Sequence, residues 1–166
     1  MFILICPLVG VAMAGCGHSP QIPSPPHQSA AGIIEKLTLE QLTARADSIL
    51  VGKVTDITVH KEGKGNIYTL VTLSMEQTIK GETGGKVVIR VPGGEVGGLV
   101  LMVTDTPSFQ LGERAVVFLD KGEGIFNVVG GFQGKFSIDE NNMVSRNMPL
   151  TEFINQIKAE VDKGSR

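Results

Sequence analysis

Ser48-Ile49-Leu50-Val51-Gly52-Lys53-Val54-Thr55-Asp56-Ile57-Thr58-Val59-His60 and, after the turn Glu62-Gly63-Lys64-Gly65, Ile67-Tyr68-Thr69-Leu70-Val71-Thr72-Leu73-Ser74-Met75 are the stretches that decide the fold class. Both are dense in Val, Ile and Thr, whose branched side chains suit a pleated surface better than a helix. In the second, Ile67, Val71, Leu73, Met75 and Ile79 share one phase of a two-residue period, and Tyr68, Thr72, Ser74 and Glu76 take the other. The first is less regular. Ile49 and Val51 keep one phase and Val54 the opposite one, with the break at Gly52-Lys53, which predicts a bulge that bends the strand.

Downstream, Lys80-Gly81 ends the second strand and Lys86 to Val91 makes a third. The glycine-dense Pro92-Gly93-Gly94-Glu95-Val96-Gly97-Gly98 leads into a strand from Leu99 to Thr104, and a turn over Pro107 to Glu113 leads into one from Arg114 to Leu119. Lys121-Gly122-Glu123-Gly124 turns the chain into Ile125 to Val129; Gly130-Gly131 then precedes Phe132 and a strand from Lys135 to Ile138. Upstream, Thr38-Leu39-Glu40-Gln41 fits a capping box opening a short helix to about Ala46, with Leu39, Leu42 and Ala46 on one stripe. A second helix runs near Leu150 to Val161, apolar at Leu150, Phe153, Ile154, Ile157 and Val161. A helix, six or seven strands and a helix, with no crossover helices, predict a mainly β domain over residues 36–166. The expected architecture is a small antiparallel barrel, closed or partly closed, with a short N-terminal and a C-terminal helix.

Composition narrows the function classes. The chain has 166 residues, 21 of them glycine, and a net charge of -2 with acidic and basic residues interspersed. A nucleic-acid binder needs a concentrated cationic surface to replace phosphate counterions, and this charge pattern argues against one. The two cysteines are Cys6 and Cys16, so the β domain needs no disulfide.

Residues Met1 to Ala14 carry no charge and are mostly apolar, too short a run to span about 30 Å of hydrocarbon but suited to an export signal. It ends in Met13-Ala14-Gly15-Cys16. This resembles the bacterial lipobox, in which small residues precede a cysteine whose thiol receives a diacylglyceryl group before the peptidase cuts ahead of it. Met13 stands where Leu is commoner, and no Lys or Arg precedes the apolar run. The resemblance implies a signal peptide over 1–15, in which Cys6 is discarded, and a membrane anchor at Cys16. Residues 16–35 then form a tether: Pro20, Pro23, Pro25 and Pro26 among polar residues favour extended polyproline II. At roughly 3.1 Å per residue it reaches about 50 Å at most. His18 and His27 are expected to be solvated there. Gly17 is not the aspartate that retains many lipoproteins at the inner membrane. By resemblance, the destination is the outer membrane of a two-membrane cell, and the cell surface otherwise.

Ala46-Asp47-Ser48-Ile49-Leu50-Val51-Gly52-Lys53-Val54, then Lys80-Gly81, then Phe109-Gln110-Leu111-Gly112-Glu113-Arg114 with Val117-Phe118-Leu119 stand in an order that resembles the netrin-like modules typified by tissue inhibitors of metalloproteinases. Those modules are OB-fold barrels, so the resemblance implies an OB-like barrel here. The segments Arg90 to Gly98 and Gly130 to Phe136 resemble uncharacterised exported bacterial domains. The animal inhibitors clamp a protease zinc with a disulfide-locked N-terminal cysteine. Cys16 would be lipidated and separated from the barrel by the tether, so that mechanism does not carry over.

No catalytic constellation is visible, and the chain is expected not to be an enzyme. The domain's histidine, His60, reads as a surface residue with no Ser or Cys motif beside it. Neither metal nor cofactor is expected: paired-His and Cys motifs are lacking, and Asp139-Glu140-Asn141-Asn142 lacks the glycine and spacing of a calcium loop. Gly93, Gly94, Glu95, Val96, Gly97 and Gly98 lack the Lys-Ser/Thr ending of a phosphate loop. Their glycines serve a tight turn, or they leave bare backbone beside Val96 and Leu99 that accepts a ligand or an extended partner strand. These six residues are therefore the candidate partner-binding loop. The expected function is a lipid-anchored, non-catalytic module binding an envelope or extracellular protein, regulation of a protease being one form. The alternatives are a purely structural lipoprotein and an envelope-polymer hydrolase. The hydrolase would use carboxylates assembled in space, with Glu95 and Glu113 to be checked for a separation of about 5–9.5 Å.

Overall fold

A computed structural model describes residues 35–63, 65–122, 124–144 and 147–164. The signal segment, Cys16, His18, His27 and the tether up to residue 34 lie outside the described residues. Helix α1 (Leu39–Arg45) is followed by strands β1 (Ser48–Glu62), β2 (Asn66–Lys80), β3 (Lys86–Pro92), β4 (Gly94–Val96), β5 (Leu99–Leu101), β6 (Arg114–Lys121) and β7 (Phe126–Val128). A 3-10 turn (Gly131–Gly134), β8 (Lys135–Ile138), β9 (Met143–Val144), β10 (Met148–Pro149) and helix α2 (Leu150–Gly164) complete the chain.

The described residues are mainly β, with two helices and a curled, ring-like sheet of five strands in the order β1-β2-β3-β7-β6 and β6 pairing again with β1. Strand β1 is long enough to serve both neighbours. It pairs with β2 from Ile49↔Lys80 to Glu62↔Asn66, and its first half pairs with β6 from Ser48↔Leu119 to Lys53↔Arg114. The expectation of purely antiparallel pairing is corrected at one place. Strands β3 and β7 run parallel and meet at a single pair, Ile89↔Phe126. More strands are present than the sequence announced: the two-residue β9 and β10 are too short to leave a period, and the strand expected to reach Thr104 stops at Leu101.

Apolar runs in β1 and β6 are explained by burial on both faces. Leu50, Val54, Ala115, Val117 and Leu119 join Val71, Leu73, Val87, Ile89 and Val91 in a core inside the curl, with Phe126 and Val128 against it. Ile49, Val51, Val116 and Phe118 point the other way, into a second core with Leu42 of α1 and Phe153, Ile154 and Ile157 of α2. Phe118 meets the edge of Phe136 at 5.7 Å between centroids, and Phe136 tilts against Phe153 at 4.8 Å, joining β6, β8 and α2. Pairing with β2 slips at Val51/Gly52, where the sequence predicts a bulge. The change of side-chain phase comes later, at the slip between Val54 and Asp56: Leu50 and Val54 face the inner core at even positions, and Ile57 reaches it from an odd one.

The capping box of α1 is formed: Gln41 N–H donates to Thr38 Oγ1 at 3.2 Å, and Thr38 N–H to Gln41 Oε1 at 2.8 Å. At the other end of α1 Lys80 Nζ donates to the carbonyls of Thr43 (2.8 Å) and Ala46 (2.6 Å), a cation placed on the negative pole of the helix. Gly81 follows with φ 78°, and a Cβ there would collide with the Asp47 carbonyl oxygen. The Lys-Gly pair thus fastens the end of β2 beneath α1. Among the described residues no helix is long and apolar enough to cross a membrane.

Candidate functional site

Strands β4 and β5 form a two-stranded sheet of their own beside the ring. Gly93, buried at the exit of β3, donates its N–H to the Ile67 carbonyl at 2.9 Å and accepts from Thr69 Oγ1 at 2.8 Å, so the hairpin is rooted on β2. Gly94, Glu95 and Val96 make β4 and pair with Leu101, Val100 and Leu99. Gly97 and Gly98 are the two turn residues, at φ 58° and 75°. Two successive left-handed residues make the type I′ turn that matches strand twist, and glycine occupies both positions without a Cβ clash. Five of the six residues of the candidate loop therefore belong to one hairpin, and Gly93 joins it to the ring.

Strand β5 and the loop that follows it are apolar and poorly covered. Leu99 is 48 % exposed, Val100 61 %, Met102 89 % and Val103 40 %. Between Gly93, Gly94 and Met102 on one side and Val59 of β1, Thr69 and Val71 of β2 and Val91 of β3 on the other is a cleft of about 400 Å³. The returning loop, from Leu101 to Phe109, forms its far wall. Apolar pockets with a few hydroxyls are the usual form of a ligand or peptide site.

That wall is held in place by ionic contacts. Lys135 Nζ donates to Glu113 Oε1 and to the Ser108 carbonyl, both at 2.6 Å, and lies 4.9 Å from the centre of the Phe109 ring. Ser137 Oγ donates to the same Glu113 oxygen at 2.6 Å, and the Gln110 N–H to Oε2 at 3.0 Å. Burial by itself pushes the Glu113 carboxyl up, but hydrogen bonds from Lys135, Ser137 and the Gln110 amide, together with the Lys135 charge, outweigh it and hold its pKa below the ordinary value. With Glu113 16 % exposed and Lys135 10 %, this pair is shielded from solvent far more than the other ion pairs of the described residues.

Glu95 is exposed on β4, Glu113 is bound at the foot of β6, and neither lines the cleft. The two carboxylates share no partner among the described residues. Asp139 Oδ1 accepts from the amides of Asn141 (2.9 Å) and Met143 (2.8 Å), and Asn142 accepts from Arg114, so this acidic run makes the turn between β8 and β9. His60, expected at the surface, is half-buried and stacks on Tyr68 with centroids 5.5 Å apart; the Arg90 guanidinium covers the Tyr68 ring at 4.0 Å.

The Gly130 to Phe136 segment is tied to the fold by hydrogen bonds while the Phe132 ring stays exposed. Gln133 accepts from the Leu37 N–H at 2.9 Å and donates to the Glu35 carbonyl at 3.0 Å, and the Phe132 N–H bonds the Asp105 carbonyl at 3.0 Å. Sequence reading did not single out Leu101, Met102, Val103 and Phe109 as parts of a site. The available signal was the run from Val91 to Gly112, which has no Lys, Arg or His and places aliphatic side chains in a segment too glycine-rich to bury them. The chain matches no protein-family model, and no curated protein is similar to it.

Proposed function

We propose that this chain is an exported lipoprotein, anchored through Cys16, whose OB-like barrel is a non-catalytic binding module for a protein of the cell envelope or its surroundings. The reading that the ring of strands is an OB-like barrel is supported by its order, β1-β2-β3-β7-β6 and back to β1, with a parallel contact between β3 and β7. Its binding role rests on one observation: an independent hairpin, fixed at its root, and the loop that leaves it expose Leu99, Val100, Met102 and Val103 beside an apolar cleft. Contiguous exposed apolar surface of this kind marks interaction sites more often than chance exposure. Anchoring rests on Met13-Ala14-Gly15-Cys16 and the uncharged segment before it.

Two measurements test the two halves. Growth with radioactive palmitate should label the wild-type chain and leave Cys16→Ser unlabelled; a labelled Cys16→Ser protein removes the anchor from this reading. A photo-reactive phenylalanine at Met102 should form a crosslink in intact cells to one protein, in amounts that follow expression. Absence of any crosslink there, with the same probe at the remote Lys158 as background, removes the hairpin as a binding site.

A further inference from the structure

The binding-module reading leaves open what chemistry the hairpin recognises. We infer that it takes an extended, cationic-aliphatic polypeptide segment, added as a third strand along β5. This rests on the hairpin being the binding site and goes further by specifying the occupant.

Three observations combine. First, β4 and β5 pair only with each other, so the outer edge of β5 has no strand against it among the described residues. In a two-residue hairpin the pair flanking the turn, here Val96 and Leu99, exchanges both hydrogen bonds, and the next pair turns its N–H and C=O outward. That pair is Glu95 and Val100, so Val100 offers a donor and an acceptor to an added strand. Second, the side chains around that edge are aliphatic and exposed: Leu99, Val100, Met102 and Val103. Third, the hairpin and the loop that returns from it carry charge of one sign, Arg90 being stacked on Tyr68 and Lys135 paired with Glu113. No cation occurs between Arg90 and Arg114, whereas Glu95, cross-strand from Val100, and Asp105, just beyond Val103, are both exposed. Neither carboxylate has a salt bridge among the described residues. A negative rim without counter-charges selects a strand carrying Lys or Arg beside its aliphatic residues, and it disfavours an anionic lipid surface.

The probe is a fluorescein-labelled peptide of alternating Val and Lys, titrated against the full lipidated chain in dodecyl maltoside micelles and read by anisotropy. Its Val-Glu counterpart serves as the control. The Val-Lys peptide should bind and the Val-Glu peptide should not. Glu95→Lys should weaken the Val-Lys peptide about tenfold and bring in the Val-Glu peptide, because a rim charge has been reversed. Val100→Pro removes one outward N–H that the hairpin itself does not use, and it should abolish binding while far-UV circular dichroism stays unchanged. Equal binding by wild type and both variants overturns the inference, as does binding of the two peptides alike. Preferential capture of the chain by vesicles of phosphatidylglycerol assigns the patch to lipid and also overturns it. So does concentration-dependent self-association lost in Val100→Pro. A failed titration accompanied by a protein crosslink at Met102 rejects the cationic-strand chemistry alone; failure of both rejects the binding module as well.

Discussion

Glu113 brings together burial, charge and loop geometry in one side chain. Because its pKa is depressed in the folded protein, the unfolded chain takes up the proton first as acid is added. The stability that Glu113 contributes is therefore fully present above its unfolded value, about 4.3, and is lost as pH falls through the lower folded value. Removing the charge leaves the Lys135 ammonium short of its partner, so Glu113→Gln should cost about 1–3 kcal/mol near neutrality. Urea unfolding at stepwise lower pH should show the gap between variant and wild type closing below about pH 4. A gap that stays constant would mean that the carboxylate charge contributes nothing. Lys80 works on similar principles on a smaller scale, its ammonium group closing two carbonyls at the end of α1. In both cases a motif that drew attention in the sequence, Phe109 to Glu113 and Lys80-Gly81, fastens a loop or a helix to a strand.

At the scale of elements, the β4–β5 hairpin contrasts with the ring. It has three residues in each strand and is joined to the body through Gly93 and the loop after Leu101. Placing a β-branched residue at φ 75° strains the backbone by about 1–2 kcal/mol. Gly98→Val should therefore accelerate hydrogen exchange at Leu99 to Leu101 while shifting the global melting temperature little. A large drop in melting temperature would show that the hairpin belongs to the main cooperative unit. Long elements were legible in the sequence because burial imposes a period: β2 buries Ile67, Val71 and Leu73, and α2 buries Phe153, Ile154 and Ile157. Of the hairpin, the sequence offered the glycines and a strand beginning at Leu99, whereas β4 went unread. The hairpin's strands are too short for alternation to register, and its importance lies in exposed rather than buried side chains. The cleft wall could not be read either, since Ser108 and Glu113 meet Lys135 only after the chain has passed through two more strands, β6 and β7.

Over the whole molecule, the ring is uneven. Strands β1 and β2 share a ladder running nearly their full length, and β6 is paired with β1, β7 and β8, whereas the β3–β7 contact is one residue pair. Native-state hydrogen exchange should follow that order, with β1 and β6 opening only on global unfolding and Phe126 to Val128 opening earlier. Exchange of β7 in step with β1 would show that core packing by Phe126 and Val128 makes up for the short ladder. Two cores back to back account for this arrangement: the inner one rounds the sheet, and the outer one, under α1 and α2, clamps β1 to β6. The sequence contains the residues of both cores but does not mark which face each serves, because Ile49-Leu50-Val51 in β1 and Ala115 to Leu119 in β6 are unbroken apolar runs.

Gln133 gives this arrangement a mechanical meaning. Its amide grips the Glu35 carbonyl and the Leu37 N–H, just before α1 begins. Were the chain anchored ahead of the domain, as proposed, a pull on it would enter at Glu35 and meet that two-point clasp before it reached the capping box of α1. Through the backbone of Gln133 the load divides between β7 on one side and β8 on the other, and both lead to β6 at the centre of the sheet. In the anchored form proposed above, the clasp would act as strain relief on a cord, passing drag on the chain ahead of Glu35 to the sheet and sparing the first turn of the helix.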